Sequence, residues 1–197
     1  MRDKAIEMAK RLITDSIWKS TNLEGLAMSY PKVTAMLENA PMTTTAEEVL
    51  FVFNMKQAWR FIFSSVGQPN SLNTLKEFNR IAGYILIYMN GEIRDLPVII
   101  CGTTWVPEMP QEDILINRIA ELNSIEDPEL RALKYFCFVA RSQIFMDGNK
   151  RVAQLIANKI LIENDIGIFQ IDIDDLKEFR ELLVSFYESN DDTTIID

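Results

Sequence analysis

Apolar residues recur at every third or fourth position in successive segments of this chain, and this pattern constrains the fold more than any other feature. Such spacing places the apolar side chains on one face of an α-helix. In residues 3–19 that face is formed by Ala5, Ile6, Ala9, Leu12, Ile13 and Ile17. The sequence predicts helices at about residues 3–19, 31–39, 46–65, 73–89, 111–123, 127–141, 149–163 and 174–188.

Several of the predicted helices carry recognisable start signals. Thr45 is the predicted N-cap of the helix at 46–65, and Glu47 or Glu48 in its first turn favours the positive end of the helix. Pro31 suits the first turn of the short helix that it opens. The segment 67–71, with glycine, proline and asparagine, predicts a turn between two long helices.

Residues 90–107 differ from the rest of the chain. Gly91 precedes a β-branched run at 98–100, and Gly102 and Pro107 follow that run. This composition is typical of a short β-hairpin. The chain also lacks internal repeats, low-complexity tracts and an interdomain linker. The sequence therefore predicts one all-α domain with a small β-hairpin.

The chain contains no histidine. No unperturbed side chain therefore titrates near neutral pH, and catalysis or metal binding through histidine is excluded. Cys101 and Cys137 are the only cysteines, and they are far apart in the sequence. We interpret them as thiols of a protein in a reducing compartment, and we expect no structural zinc site.

The charge balance is acidic, with 29 acidic and 20 basic residues and a net charge of −9. Such a protein has no general attraction to nucleic acid, so nucleic acid is not an expected partner. Residues 1–7 mix both charge signs and do not resemble a signal peptide. The longest apolar segment, 81–89, is about half the length that crosses a bilayer. We therefore expect a cytoplasmic protein without a membrane partner.

The most informative segment is residues 143–151, in which an Asp147-Gly148-Asn149 turn leads directly into a predicted helix. A helix N-terminus offers unpaired N–H groups and partial positive charge, and Lys150 and Arg151 add two cations. Gly148 allows a close backbone approach. These features predict an anion site suited to phosphates, where Asp147 could hold Mg²⁺. The turn alone is also compatible with an ordinary capped helix start beside a solvated basic surface.

The same segment resembles the signature of the Fic/Doc family, whose members share the Fido fold. That signature reads histidine, any residue, phenylalanine, any residue, Asp or Glu, glycine, asparagine, glycine or lysine, then arginine. The matching residues stand in register: Phe145, Asp147, Gly148, Asn149, Lys150 and Arg151. The segment 94–107 is similar to the family's flap hairpin, and 54–59 to the helix beneath its active site.

The resemblance implies a helical Fido bundle with a flap hairpin, and a protein related to transferases that attach AMP to hydroxyls of target proteins. It implies catalytic positions at Gln143, Asn149 and Arg151. It places ATP, or another nucleoside triphosphate, on Phe145, Gly148, Asn149, Lys150 and Arg151, with Mg²⁺ at Asp147. A target protein would dock on the flap at about 98–105, and a homodimer is compatible with the family.

A second motif lies near the N-terminus. Family members with built-in inhibition carry Ser or Thr, three residues, Glu, then Gly or Asn, and Ser20, Glu24 and Gly25 fit this pattern. The resemblance thus divides the chain into an N-terminal helical arm at 1–40 with the inhibitory-type motif and a Fic/Doc core at 41–197. A match this short is also common at ordinary helix ends.

Three positions depart from the family pattern. Gln143 replaces the histidine that removes the proton from the target hydroxyl, and an amide does not accept a proton near pH 7. Because a positioned base contributes about 10²–10⁴-fold to rate, AMP transfer should be severely weakened. Lys150 replaces a glycine and resembles the Doc branch, whose members transfer the γ-phosphate. Gln154 replaces a second arginine that pairs with the inhibitory glutamate, so Glu24 lacks that partner.

These departures leave three hypotheses open. The first is a nucleotide-binding Fic-type protein with lost or reduced activity. The second is an active transferase of AMP or, as in Doc, of phosphate. The third is an interaction module, of the toxin–antitoxin type, without nucleotide or catalysis.

Overall fold

The computed structural model describes residues 3–196, and within that range it contains helices and no β-strand. No helix among these residues combines the length and the apolar character that a bilayer crossing requires. The helices are α1 Asp3–Leu23, α2 Tyr30–Leu37, α3 Ala46–Ser65, α4 Leu72–Ala82, α5 Glu112–Asn123, α6 Pro128–Ser142, α7 Asn149–Glu163, α8 Leu176–Ser189 and α9 Thr193–Ile196. The all-α prediction is confirmed.

Helix α7 is the centre of the bundle. All of its residues are buried except Lys150 and Glu163, at its two ends. It packs against α6 most extensively and also against α4, α3 and α1. A helix that is buried on every side belongs to the core, so the surrounding helices determine where the start of α7 lies.

Helix α1 belongs to the same hydrophobic core as α7. Its residues Ala9, Ile17 and Leu23 are buried in that core, and α1 packs against α2, α3 and α7. The turn after α1 is held by the Trp18 indole N–H, which donates to the Met28 carbonyl at 2.8 Å. This packing brings the end of α1 close to the start of α7.

Most helix boundaries follow the start signals in the sequence. Thr45 is the N-cap of α3 and Pro31 lies in the first turn of α2, as predicted. The structure adds that Thr45 and Glu48 form a capping box. Helix α4 ends earlier than predicted, at Ala82 rather than near residue 89. Gly83 follows it, and Ile85 and Met89 adopt positive φ angles of 63° and 55°, which an α-helix does not accommodate.

The predicted β-hairpin is wrong. In what we call the flap segment, residues 95–110, the structure has a turn at 101–102 but no paired strands. Pro97, Pro107 and Pro110 remove backbone donors that a ladder would need. Polar groups of the segment also form hydrogen bonds with side chains outside it. Thr103 and Thr104 donate to Glu188 of α8, and the carbonyls of residues 96, 107 and 108 accept from Arg94.

Candidate functional site at the start of helix α7

The motif loop, residues 143–148, connects α6 to α7 by two residues in the left-handed conformation. Gln143 ends α6 with φ 46°, and Gly148 precedes α7 with φ 77°. The φ angle of Gly148 favours glycine, and a Cβ atom there would lie 2.8 Å from Ile87 Cδ1, which would have to shift. The loop can therefore approach its neighbours more closely here than a side chain would allow.

Asn149 fixes the loop from inside. Its Oδ1 accepts from the Phe145 N–H at 3.0 Å, and its Nδ2 donates to the Phe145 carbonyl at 2.9 Å. The same Nδ2 donates to Gln143 Oε1 at 3.1 Å. Gln143 Nε2 in turn donates to the Ala140 carbonyl at 2.7 Å. Both ends of the Gln143 amide are thus engaged, and Asn149 is a buried scaffold of the loop.

Phe145, predicted to contact nucleotide, lies in the core with its side chain fully buried. Ile144 beside it is buried as well. These two residues anchor the loop on the apolar interior, which leaves the glycine end of the loop facing outward. Ile144 and Phe145 therefore hold the motif loop in position through core packing.

A cavity of about 480 Å³ opens in front of this loop. The start of α7 borders it, and no side chain caps the free N–H groups of that first turn. The remaining walls come from the arm, the flap segment and α8. The lining residues are Glu24, Ile99, Ile100, Cys101, Gln143, Asp147, Gly148, Asn149, Lys150, Arg180, Leu183, Val184 and Tyr187. An uncapped helix start that faces a cavity is a site for an anion.

The two cations of the motif occupy different surroundings. Lys150 lies on the cavity wall. Arg151 is buried behind it, where it donates to the Asp147 carboxylate at 3.0 Å and to the Ala82 carbonyl at 3.3 Å. Its guanidinium also lies over the Phe51 ring, 5.4 Å from the centroid. Of these two cations, Lys150 is therefore the one that a ligand in the cavity can contact. The buried Arg151 acts on the cavity only through its charge.

Glu24 of the arm reaches the same cations. Its carboxylate lies 3.4 Å from Lys150 Nζ and 3.7 Å from Arg151 Nε, and only 13% of the side chain is exposed. At these distances and angles the contacts are ion pairs rather than hydrogen bonds. Glu24 therefore pairs with Lys150 and Arg151, and position 154 holds a glutamine.

The other residues of the arm motif are also placed by α7. Ser20 is buried and donates its hydroxyl to Gln154 Oε1 at 3.0 Å. Gly25 ends the helical turn with φ 86° and is exposed. The structure therefore brings the two sequence motifs together, through Ser20 with Gln154 and Glu24 with Lys150.

Asp147, the predicted Mg²⁺ ligand, is accessible to a metal ion. About 67% of its side chain is exposed, and one of its oxygens is paired with Arg151. Within residues 3–196 no three acidic or cysteine side chains cluster as a preformed metal site. The donor set suits Mg²⁺, because this ion is commonly held by one or two carboxylates together with substrate phosphates.

Two residues that contact the backbone of the motif loop, Asn79 and Arg94, were not predicted from the sequence. Asn79 of α4 is buried, donates to the Asp147 carbonyl at 2.9 Å, and accepts from the Gly91 N–H at 2.7 Å. Arg94 is 2% exposed and donates from its side chain to the Gln143 carbonyl at 2.6 Å. The contacts of these two residues with the motif loop span 68 and 49 residues of sequence, so no local pattern signals them.

Arg94 ties the motif loop to both ends of the flap segment. Besides Gln143, its guanidinium donates to the carbonyls of Leu96 at 2.8 Å, Pro107 at 3.4 Å and Glu108. Its backbone N–H donates to Ile144 at 3.0 Å. Burial lowers the pKa of Arg94, and carbonyl oxygens take the place of a carboxylate.

The tip of the flap segment is tied to α8. Thr103 and Thr104 donate to the Glu188 carboxylate, and the hydrogen bond from Thr103 is the main reason that the pKa of Glu188 is lowered. Trp105 stacks on Tyr187 with ring centroids 6.4 Å apart. Burial raises the pKa of Tyr187, so it is neutral where it lines the cavity.

Comparisons with known proteins agree with this geometry. A model of the Fic/DOC family matches residues 70–161, which include the motif loop. No curated protein sequence matches the chain.

Three solved structures share the fold. A Fic family protein from Desulfovibrio desulfuricans G20 aligns with TM-score 0.78 and 16% identity over 96% of this chain and 61% of that one. Fic-1 from C. elegans aligns with TM-score 0.75 and 19% identity over 90% of this chain and 56% of that one. A Fic domain containing signaling protein from Bacteroides thetaiotaomicron VPI-5482 aligns with TM-score 0.75 and 20% identity over 93% of this chain and 74% of that one.

The likeness to these structures establishes the fold, and the chain spans little more than half the length of the C. elegans and Desulfovibrio chains. Residues 70–161 therefore form a Fic/DOC-family segment, and the chain has the fold of solved Fic-family proteins.

Proposed function

We propose that this protein binds a nucleoside triphosphate, with Mg²⁺, at the start of α7, and that transfer from this nucleotide to protein hydroxyls is impaired. The observation that carries the proposal is the uncapped N-terminus of α7, open to a cavity of about 480 Å³ with Lys150 on its wall. The free N–H groups and Lys150 provide donors for phosphate oxygens. The charge of Arg151, held behind them, adds to the local attraction.

Asp147 is the residue that would hold Mg²⁺ together with the phosphates. When bound, the ion would neutralise phosphate charge, which lowers the cost of bringing a nucleophile to them. The protein's own part is to orient the phosphates through Gly148 and the helix start, and to present the flap segment to a target protein. Ile99 on that segment is 81% exposed, which suits contact with a partner at residues 98–105.

The impairment is located at Gln143. Its carbonyl oxygen accepts from Asn149 and its amide donates to Ala140, so the side chain is held in place and offers no base for a target hydroxyl. A second candidate activity, Doc-like transfer of the γ-phosphate, is favoured by one feature: Lys150 borders the cavity where many family members have glycine.

Thermal stabilisation by ATP with Mg²⁺ tests the binding step. We expect a rise in melting temperature of the wild type, a smaller rise for Asp147→Ala and Lys150→Met, and an unchanged rise for the control Lys177→Met, whose side chain is 90% exposed on α8. Glu24→Gln should increase the rise, because the competing carboxylate of the arm is neutralised. A wild type that ATP does not stabilise would reject nucleotide binding and favour the interaction module.

The substitution Gln143→His tests the impairment. With ATP labelled at the α- or the γ-phosphate, we expect this variant to label itself or a target protein more strongly than the wild type, by about 10²–10⁴-fold if only the base is missing. Label from the α position would identify AMP transfer, and label from the γ position would identify phosphate transfer. If neither label is transferred by Gln143→His, the defect is not confined to the base.

A further inference from the structure

A second cavity, larger than the one at the motif loop, borders a different part of the flap segment. Its volume is about 650 Å³, within the range of about 300–1,000 Å³ that is typical of ligand sites. The flap segment, α5, α6 and the end of α8 form its walls. None of the residues of the two sequence motifs lines it.

About half of the wall of this cavity is apolar, and the apolar side chains come from the flap segment, α5, α6 and α8. Ile114, Leu115, Phe138 and Phe186 line it, and Met109 of the flap segment contributes a flexible thioether. Ile114 is 56% exposed, so part of this apolar surface faces solvent. A ligand with an apolar body would remove this surface from water and gain the free energy of that burial.

One cation in the cavity is left without a counter-charge. Arg141, in the last turn of α6, has no carboxylate within 4.0 Å among residues 3–196. Its Nε donates to the Tyr187 carbonyl at 3.2 Å, and its guanidinium carbon lies 4.0 Å from the centroid of the Trp105 ring. Its two terminal nitrogens have no hydrogen-bond partner in the described part of the chain.

The other charged groups that line the cavity are either paired with an opposite charge or exposed to water. Lys134 is paired with both oxygens of Asp192, at 2.9 and 2.8 Å, and Arg118 is paired with Glu121 at 2.6 Å. Glu108 is exposed, so its charge is screened by water. Arg141 is partly buried, and this burial lowers the pKa of its guanidinium.

We propose that this cavity is a binding site for an amphipathic organic anion, with the acidic group on Arg141 and the apolar body against the wall formed by Met109, Ile114 and Phe138. A planar guanidinium with two free terminal nitrogens can donate two parallel hydrogen bonds to one carboxylate, sulfonate or phosphate group. Its stacking on Trp105 holds the fork in a fixed orientation, which lowers the entropy cost of binding.

Fluorescence titration with anilinonaphthalene sulfonate, an aromatic anion, tests the site. We expect saturable binding to the wild type and an affinity about tenfold or more lower for Arg141→Met, because one charge-assisted interaction is lost. Ile114→Glu should weaken binding similarly by repulsion. The matched control is Ile116→Glu on the same helix, since Ile116 is 50% exposed and does not line this cavity.

Two further measurements separate the alternatives. Lys150→Met should leave the affinity unchanged, which distinguishes this cavity from the one at the motif loop. Phenylnaphthylamine, which lacks the sulfonate, should bind the wild type and Arg141→Met equally, which shows that the variant keeps the cavity intact. The proposal is overturned if the wild type shows no saturable binding, if Arg141→Met binds the anion as well as the wild type, or if only Lys150→Met weakens it.

Discussion

Arg94 shows how one side chain can connect the motif loop to a segment that has no regular secondary structure. Its guanidinium serves carbonyls from both ends of the flap segment and from Gln143. A buried guanidinium is costly to desolvate, and it persists only where several acceptors surround it. The flap segment has no ladder of its own, so these hydrogen bonds take over the role that a hairpin would have.

We predict that Arg94→Met loosens the flap segment and lowers the free energy of unfolding by about 3 kcal/mol or more, since four carbonyls lose the donor that the buried guanidinium provides. Lysine should not rescue it, because an ammonium cannot reach these acceptors in a fixed fork. Urea denaturation gives the stability, and hydrogen exchange measured by mass spectrometry gives the mobility of residues 95–110.

The control for this variant is Arg80→Met on α4. Arg80 is 55% exposed in its side chain and pairs only with Glu77, so its loss should cost less than about 0.5 kcal/mol. Equal exchange of the flap segment in wild type and Arg94→Met would contradict the role assigned to Arg94.

At the scale of the element, the sequence predicts helices better than it predicts their connections. The capping box at Thr45 and the start of α7 at Asn149 are determined by neighbouring residues, so both were predictable. The hairpin was not, because strand pairing depends on which acceptors are free. Here Glu188, more than 80 residues away, binds the tip of the flap segment. The pairing of Glu24 with Lys150 is likewise a result of tertiary packing.

The contact between the flap segment and α8 should depend on pH. The pKa of Glu188 is lowered from its ordinary value of 4.5, chiefly by the hydrogen bond from Thr103. A carboxylate with a lowered pKa stabilises the folded contact above its ordinary pKa, and the stabilisation is lost as the pH falls through the lowered value. We therefore predict that the tip of the flap segment detaches below about pH 4.5 and not between pH 5 and 7.

Fluorine NMR of protein labelled with fluorotryptophan can measure this, because Trp105 lies in the flap segment next to Tyr187. Its resonance should shift below about pH 4.5, whereas those of Trp18 and Trp59 should not shift with it. Glu188→Ala should show the shifted Trp105 resonance already at pH 7, and Glu181→Ala on the same helix should behave as the wild type. A transition that persists in Glu188→Ala would exclude Glu188 as its cause.

On the scale of the whole molecule, the site depends on one continuous core. α7 is enclosed by α6, α4, α3 and α1, so the helix start at the proposed anion site cannot move without disturbing their packing. The arm contributes to this core through Ala9, Ile17 and Leu23, and to the site through Glu24. The boundary predicted near residue 40 thus separates two parts of the sequence that share one hydrophobic interior.

This arrangement predicts that the arm and the rest of the chain unfold together. Ile17 is fully buried in α1, and Ile17→Ala should lower the free energy of unfolding by about 2–5 kcal/mol. In a cooperative domain, the fluorine signals of Trp18 in α1 and Trp59 in α3 should disappear together within each protein. Both should disappear at a lower urea concentration in the variant than in the wild type. Met8→Ala, at a residue 38% exposed on the same helix, should change stability by less than about 0.5 kcal/mol. If instead Trp18 loses its native signal first, the arm is an independent unit, and Glu24 could leave Lys150 without unfolding the core.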